Sequence, residues 1–134
     1  MSKLSAAQAN DFLCQAFPHT AVQVQELEDG HTLITLAAGP THLRPGGYIS
    51  GPTQMAMADT AAYMVVMSKL GVTPMAVTSN LNIHFLRPCV GEGVQAVGTL
   101  LRMGKRSAVV RVDVRALGSA KQSSEVTVTY ALPE

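Results

Sequence analysis

The 134-residue length suits one hydrophobic core, so we expect a single domain over residues 1–134. Hydrophobic residues make up 47% of the chain and charged residues only 14%, against about 25% in a typical soluble domain, which indicates surface covered in an oligomer. The net charge of +1 provides no strong field for nucleic acid or an acidic membrane, so neither is an expected partner.

The N-terminal part predicts a helix followed by a hairpin. No apolar run follows Met1, so we expect no signal peptide or membrane-spanning segment. The helix should run from a Ser5 cap to Phe17 before Pro18. Alternating residues predict strands at 22–27 and 31–37, joined by an Asp29-Gly30 turn.

A loop rich in glycine and proline and a buried helix come next. The glycines and proline within residues 41–49 predict a backbone that approaches a ligand. The helix should begin at Pro52, with Ser50 or Gly51 as cap, and should end at Gly71. Its apolar residues lie on all sides, which predicts a helix buried around most of its circumference.

Four strands complete the predicted elements. In the first, from Val77 to Phe85, Val77, Ser79, Leu81, Ile83 and Phe85 alternate with Thr78, Asn80, Asn82 and His84. The others are expected at 93–103, 106–117 and 125–132. Short links between these strands predict antiparallel neighbours. The order predicts an α+β fold in which a curved antiparallel sheet covers the apolar helix.

The central helix and the strand after it carry a family pattern. Gly51 opens the helix, Asp59 lies inside it, the segment at 77–88 reads VTSNLNIHFLRP, and a Gly104-Lys105-Arg106 turn follows. From about residue 22 to 133 the chain resembles the PaaI-like acyl-CoA thioesterases of the hotdog fold. The resemblance implies a long central helix wrapped by a curved antiparallel sheet of about five to six strands. It also implies an acyl-CoA substrate and no separate cofactor, because coenzyme A is part of the substrate.

Two positions depart from the family pattern. The family has His-Gly-Gly before the helix and an acidic residue nine positions after that His, whereas this chain has Ser50-Gly51-Pro52 and Asp59. Arg44 stands where the family tends to have Asn. The departures leave a second function open, a non-catalytic acyl-CoA-binding hotdog protein. A hotdog hydratase is a third, but that chemistry usually relies on a His–Asp pair, and no His flanks this helix.

The resemblance assigns catalytic roles to four residues. Asp59 would act as general base or nucleophile, although a structural carboxylate is the alternative. The Gly51 N–H would polarise the thioester carbonyl at the positive end of the helix. Thr78 would hold the attacking water or serve only as a β-branched strand residue. Ser50 would cap the helix or replace the missing His.

Four cations are candidates for binding the substrate. Arg87, Lys105 and Arg106 lie near predicted strand ends, where they could meet the phosphates of coenzyme A or remain solvated. Arg44 could pair with Asp59, contact the substrate or lie free in the loop.

The remaining predictions concern assembly and compartment. Eight residues of helix separate Gly51 from Asp59 by about 12 Å, too far for both to reach one thioester carbon. We therefore expect a homodimer or tetramer with a site shared between two chains. Cys14 and Cys89 have no metal-binding spacing, nor do the four histidines, so we expect no metal site and a reduced, cytoplasmic protein.

Overall fold

The N-terminal helix α1 spans Ala6–Ala16 in the computed structural model, which describes residues 1–133. Ser5 caps it as predicted: Ser5 Oγ accepts from the Gln8 N–H at 3.1 Å, and Gln8 Oε1 accepts from the Ser5 N–H at 2.9 Å. This reciprocal pair satisfies two N–H groups at the helix start. The helix ends at Phe17, one residue before Pro18.

The central helix α2 spans Gly51–Leu70. Ser50 is its N-cap, and Gly71 ends it with φ of 80°, a conformation that glycine adopts readily. Most of its residues from Thr53 to Ser68 are buried, as its all-round apolar sequence predicts. Within residues 1–133, no helix is both long and apolar enough to cross a bilayer.

Six antiparallel strands form one curved sheet around α2, which is the predicted α+β hotdog architecture. The strand order is β1-β2-β4-β5-β6-β3. The strands are β1 (Val22–Glu28), β2 (His31–Ala37), β3 (Val77–Phe85), β4 (Gly93–Met103), β5 (Ser107–Ala116) and β6 (Ser124–Ala131). A short 3₁₀ turn, Pro40–His42, joins β2 to the loop before α2.

The position of β3 differs from the sequence prediction. Consecutive late strands were expected to be neighbours, and this holds for β4, β5 and β6, but β3 pairs with β6 and not with β4. The segment between β3 and β4 does not form a hairpin turn. Its backbone instead forms hydrogen bonds with the segment before β6 and with the loop before α2. The Leu86 N–H donates to Ser123 O at 2.8 Å, and Cys89 O accepts from the Ile49 N–H at 2.8 Å. The link therefore crosses to the middle of the sheet and leaves β3 at an edge.

The core lies between α2 and the inner face of the sheet. Alternate residues of the central strands are fully buried there, among them Val94, Ala96, Val110, Val112, Val114, Val126 and Val128. Gly98 of β4 lets the helix approach closely, because a Cβ at this position would lie 3.0 Å from Val65 Cγ2 and 3.4 Å from Ala61 O. The depth of α2 in the sheet is therefore set by a residue without a side chain.

The two edges of the sheet differ in whether another element covers them. Helix α1 covers the β1 edge, where the Asn10 side chain donates to Val24 O at 3.0 Å and accepts from the Val24 N–H at 2.8 Å. Among the described residues, 1–133, strand β3 has no neighbouring strand on its outer side, and Val77 and Phe85 are 58% and 52% exposed. An uncovered edge with apolar side chains is a template for pairing with another chain.

Candidate active site

The start of α2 is fixed by a cluster of polar contacts. Ser50 Oγ accepts from the Thr53 N–H at 3.2 Å and lies 2.8 Å from Thr53 Oγ1. The Ser50 N–H and Thr53 Oγ1 both donate to His42 O, at 2.9 and 3.2 Å. Ser50 therefore caps the helix, which was one of the two roles predicted for it.

Gly51 is the first residue of α2 and lies against the end of β3. A Cβ at Gly51 would be 3.2 Å from Phe85 Cζ, closer than ordinary van der Waals contact. A larger residue would therefore displace the Phe85 ring. The N–H of Gly51 belongs to the first turn of α2, where backbone donors have no partner within the helix.

Asp59 lies two turns further along α2 and is half-buried. Its Oδ1 accepts from Thr78 Oγ1 at 2.5 Å and from the Tyr130 hydroxyl at 2.9 Å. The Tyr130 hydroxyl is also 3.1 Å from Asp59 O. Both side-chain partners of the Asp59 carboxylate are hydroxyl groups, and within residues 1–133 it accepts no hydrogen bond from a loop N–H.

A β-bulge turns Thr78 toward Asp59. Strict alternation along β3 places Thr78 on the face opposite Leu81, yet the register shifts between Thr78 and Asn80. Thr78 is opposite Tyr130 and Leu81 is opposite Val128, and both partners are buried on the inner face. The extra residue, Ser79, thus brings Thr78 back to the inner face.

A cavity of about 980 Å³ lies beside this cluster, along one side of α2. Asp59, Thr78, Tyr130, Ser50 and His42 contribute polar groups to its wall. Apolar lining comes from α1, the segment before β1, the end of β2 and α2, including Leu13, Phe17, Val22, Leu36, Met57 and Tyr63. Gly51 does not line the cavity. One chain therefore joins the carboxylate to an apolar pocket whose lining includes Ser50 and Pro52, on either side of Gly51, but not Gly51 itself.

Comparison with known protein families matches the part of the chain that contains these residues. The family model of the thioesterase superfamily matches residues 46–122, which include Gly51, Asp59 and Thr78. The chain belongs to the thioesterase superfamily. No curated protein sequence matches significantly.

Solved structures resemble this superfamily member over nearly the whole chain. A candidate thioesterase from Silicibacter sp. TM1040 is 28% identical with a TM-score of 0.91, over 100% of this chain and 95% of that one. The phenylacetic acid degradation protein PaaI from Thermus thermophilus, a single-residue mutant, is 23% identical with a TM-score of 0.74, over 92% and 100%. A hypothetical thioesterase from Streptococcus pneumoniae, solved with coenzyme A, is 20% identical with a TM-score of 0.78, over 96% and 97%.

The predicted substrate-binding cations of this thioesterase-superfamily chain lie away from the cavity, and none of the four lines it. Arg44 is exposed in the loop before α2, and no ion pair joins it to Asp59 in the described part of the chain. Arg87 Nη1 donates to Gln122 O. Lys105 and Arg106 are exposed at the turn between β4 and β5. A single chain therefore does not bring these four residues to the carboxylate.

Two residues of the site went unrecognised in the sequence. Tyr130 alternates in phase with Val126 and Val128, which predicts a core position, and nothing in its spacing points to Asp59. His42 Nδ1 accepts from the Gly39 N–H at 2.8 Å, so a neutral His42 ring carries its proton on Nε2. The only sequence signal for His42 was its place in a glycine- and proline-rich loop.

Within residues 1–133, no group of three or more His, Cys, Asp or Glu side chains is placed to hold a metal ion. Both cysteines are free. Burial raises the pKa of the Cys89 thiol, which keeps it protonated and weakly nucleophilic.

Proposed function

We propose that the protein hydrolyses acyl-CoA thioesters to a free acid and coenzyme A. The observation that carries the proposal is the Asp59 carboxylate, which is held by Thr78 and Tyr130 in the wall of a largely apolar cavity. The coenzyme A bound to the Streptococcus pneumoniae relative supports the choice of thioester. The cavity would take the acyl chain, because its lining is mostly aliphatic and aromatic.

Asp59 is the proposed base or nucleophile. As a base, it takes a proton from water while the water oxygen bonds to the acyl carbon, the carbon–sulfur bond breaks, and the proton passes to the departing thiolate. As a nucleophile, its carboxylate displaces the coenzyme A thiolate to form a mixed anhydride, and water then cleaves the anhydride to the acid and the free Asp59 carboxylate, with the released proton passing to the thiolate. In both cases the developing oxyanion needs a donor, and the proposed donor is the Gly51 N–H at the positive end of α2.

The proposed site is shared between two chains. Gly51 and Asp59 of one chain are about 12 Å apart along the helix axis, and Gly51 lies outside the cavity that Asp59 lines. The open β3 edge offers a place for a second copy to pair, and Phe85 of that strand lies against Gly51. Pairing across β3 would bring the Gly51 of one chain toward the Asp59 of its partner in a homodimer or tetramer.

The cations have a supporting role in this proposal. Arg44, Arg87, Lys105 and Arg106 would meet the phosphates of coenzyme A outside the acyl cavity, where exposed charges act mainly on substrate affinity. The two free cysteines fit the reducing cytoplasm that we propose as the location.

The decisive variant is Asp59→Asn, which keeps the size of the side chain and an oxygen acceptor for Thr78 and Tyr130. Thiol release from a panel of acyl-CoA substrates should fall by at least about 10²-fold in kcat, with acyl-CoA binding retained. Wild-type turnover in this variant would show that Asp59 is structural. A wild-type protein that binds acyl-CoA without releasing thiol would support the non-catalytic alternative.

Mixed dimers test the sharing of the site. Gly51→Val places methyl groups against Phe85 and blocks the approach to the N–H, so this variant and Asp59→Asn should each be inactive alone. A dimer that contains one chain of each variant regains one intact site, formed by Gly51 of one chain and Asp59 of the other. Mixtures that stay inactive after unfolding and refolding together would contradict a shared site.

A further inference from the structure

We propose that Tyr130 is a positioning residue that holds Oδ1 of Asp59 and thereby makes Oδ2 the oxygen that takes part in the reaction. This inference rests on the proposed function and assigns a role to a residue that the sequence pattern places in the core. The supporting observations are the geometry of the hydroxyl groups around Asp59 and the packing that fixes Tyr130.

Two hydroxyl groups converge on the same oxygen atom. Thr78 Oγ1 lies 2.5 Å and the Tyr130 hydroxyl 2.9 Å from Asp59 Oδ1, and the Tyr130 hydroxyl is nearer this atom than Asp59 O, which is 3.1 Å away. Both groups can donate, and donors to an ionised carboxylate form short, strong hydrogen bonds. Two donors occupy the two lone pairs of Oδ1, whereas Oδ2 accepts no hydrogen bond from residues 1–133. Oδ2 is therefore the oxygen left for water or for the acyl carbon.

The Tyr130 hydroxyl is held in place before a substrate binds. Its side chain is only 4% exposed, and its ring stacks on Tyr63 with centroids 5.6 Å apart and planes 15° apart. Tyr63 is fixed in turn by its hydroxyl, which donates to Pro74 O at 3.0 Å, and by an edge contact with Phe12. A hydroxyl on such a rigid support does not need to be ordered when the reaction occurs.

The same hydroxyl remains a donor over the working pH range. Burial is the main cause that raises the pKa of Tyr130, and the neighbouring Asp59 charge raises it further, although a bond with Thr78 acts in the opposite direction. Tyr130 consequently keeps its proton, and a protonated hydroxyl that donates to a carboxylate stabilises the ionised form. Loss of this donor should leave Oδ1 held by Thr78 alone and allow the carboxylate to turn.

The test compares Tyr130→Phe with Tyr48→Phe by measuring kcat and KM for one acyl-CoA. Both variants lose one phenolic hydroxyl, but Tyr48 is exposed outside the cavity, and only Tyr130 contacts Asp59. We expect Tyr130→Phe to lower kcat about 10-fold with KM little changed, because one of the two donors that orient the carboxylate is lost. Tyr48→Phe should leave kcat and KM at the wild-type values.

The outcomes separate this inference from the proposed function. An unchanged kcat in a folded Tyr130→Phe enzyme would overturn the positioning role, even if Asp59→Asn is inactive. Full activity of Asp59→Asn would overturn the proposed chemistry instead. If Tyr130→Phe melts well below the wild type, kcat and KM are measured at a temperature where circular dichroism shows it folded, and the same fall in kcat is required there.

Discussion

Replacement of Gly98 by Ala tests how closely α2 packs on the sheet. The new Cβ would lie 3.0 Å from Val65 Cγ2 and 3.3 Å from Thr32 Cγ2, against an optimal carbon–carbon separation of about 3.5–4.0 Å. Val65 and Thr32 are both fully buried, so neither can turn away into solvent. Overpacking of this kind costs about 1–3 kcal/mol.

One gain offsets part of this cost. Gly98 does not have a positive φ, so alanine fits its backbone and restricts the unfolded chain, which contributes about 0.4–1 kcal/mol. The net loss should be about 1–2 kcal/mol, or roughly 3–10 °C in the melting temperature of a domain of this size. Because α2 also carries Asp59, a displaced helix should lower kcat as well.

The assay is thermal and urea unfolding followed by circular dichroism at one fixed protein concentration. Gly39→Ala is the matched control, because the atom nearest to a Cβ at this position is 3.8 Å away. The stability of this variant should equal or slightly exceed that of the wild type. Val65→Ala removes the clashing methyl, so the double variant with Gly98→Ala should show a favourable coupling of about 1 kcal/mol. Wild-type stability of Gly98→Ala, or zero coupling with Val65→Ala, would refute the reasoning.

Three further predictions concern acid stability, substrate affinity and assembly. Burial acts to raise the pKa of Glu125, but hydrogen bonds from Arg111 and Gln122 lower it overall. The stability that the ionised Glu125 contributes should therefore be lost as the pH falls below about 4.5. Glu125→Gln should make the urea midpoint depend less on acid pH. Lys105→Ala with Arg106→Ala should raise KM for acyl-CoA at low salt and leave kcat nearly unchanged; an unaltered KM would place the phosphates elsewhere. Sedimentation at micromolar concentration should give at least two chains, and a one-chain mass would remove the shared site.

The elements could be predicted because local signals mark their ends. Ser5, Ser50 and Gly71 are residues that cap helices for local steric and hydrogen-bonding reasons, and each does so in the structure. The strands were found from alternation, which also reports a local property. The pairing of β3 with β6 was missed because it depends on contacts between segments some 45 residues apart, which no local pattern records.

The candidate site was predictable only in part. Asp59 was recognised because a carboxylate in an apolar helix is costly unless it is used or paired. Tyr130 was not, since its place in an apolar alternation predicts burial and says nothing about where its hydroxyl points. The inward turn of Thr78 depends on a bulge, and the alternating sequence of β3 continues through that bulge unchanged.

The bulge in β3 also places a second hydroxyl, that of Ser79, next to Thr78 in the strand. With Ser79 as the extra residue, Thr78 lies opposite Tyr130, but a regular ladder would place Ser79 itself at that position. Either register therefore presents a hydroxyl to Asp59. We therefore expect a substitution that removes only the Thr78 hydroxyl to lower kcat less than a double replacement of Thr78 and Ser79, because a slip of one residue would place Ser79 opposite Tyr130.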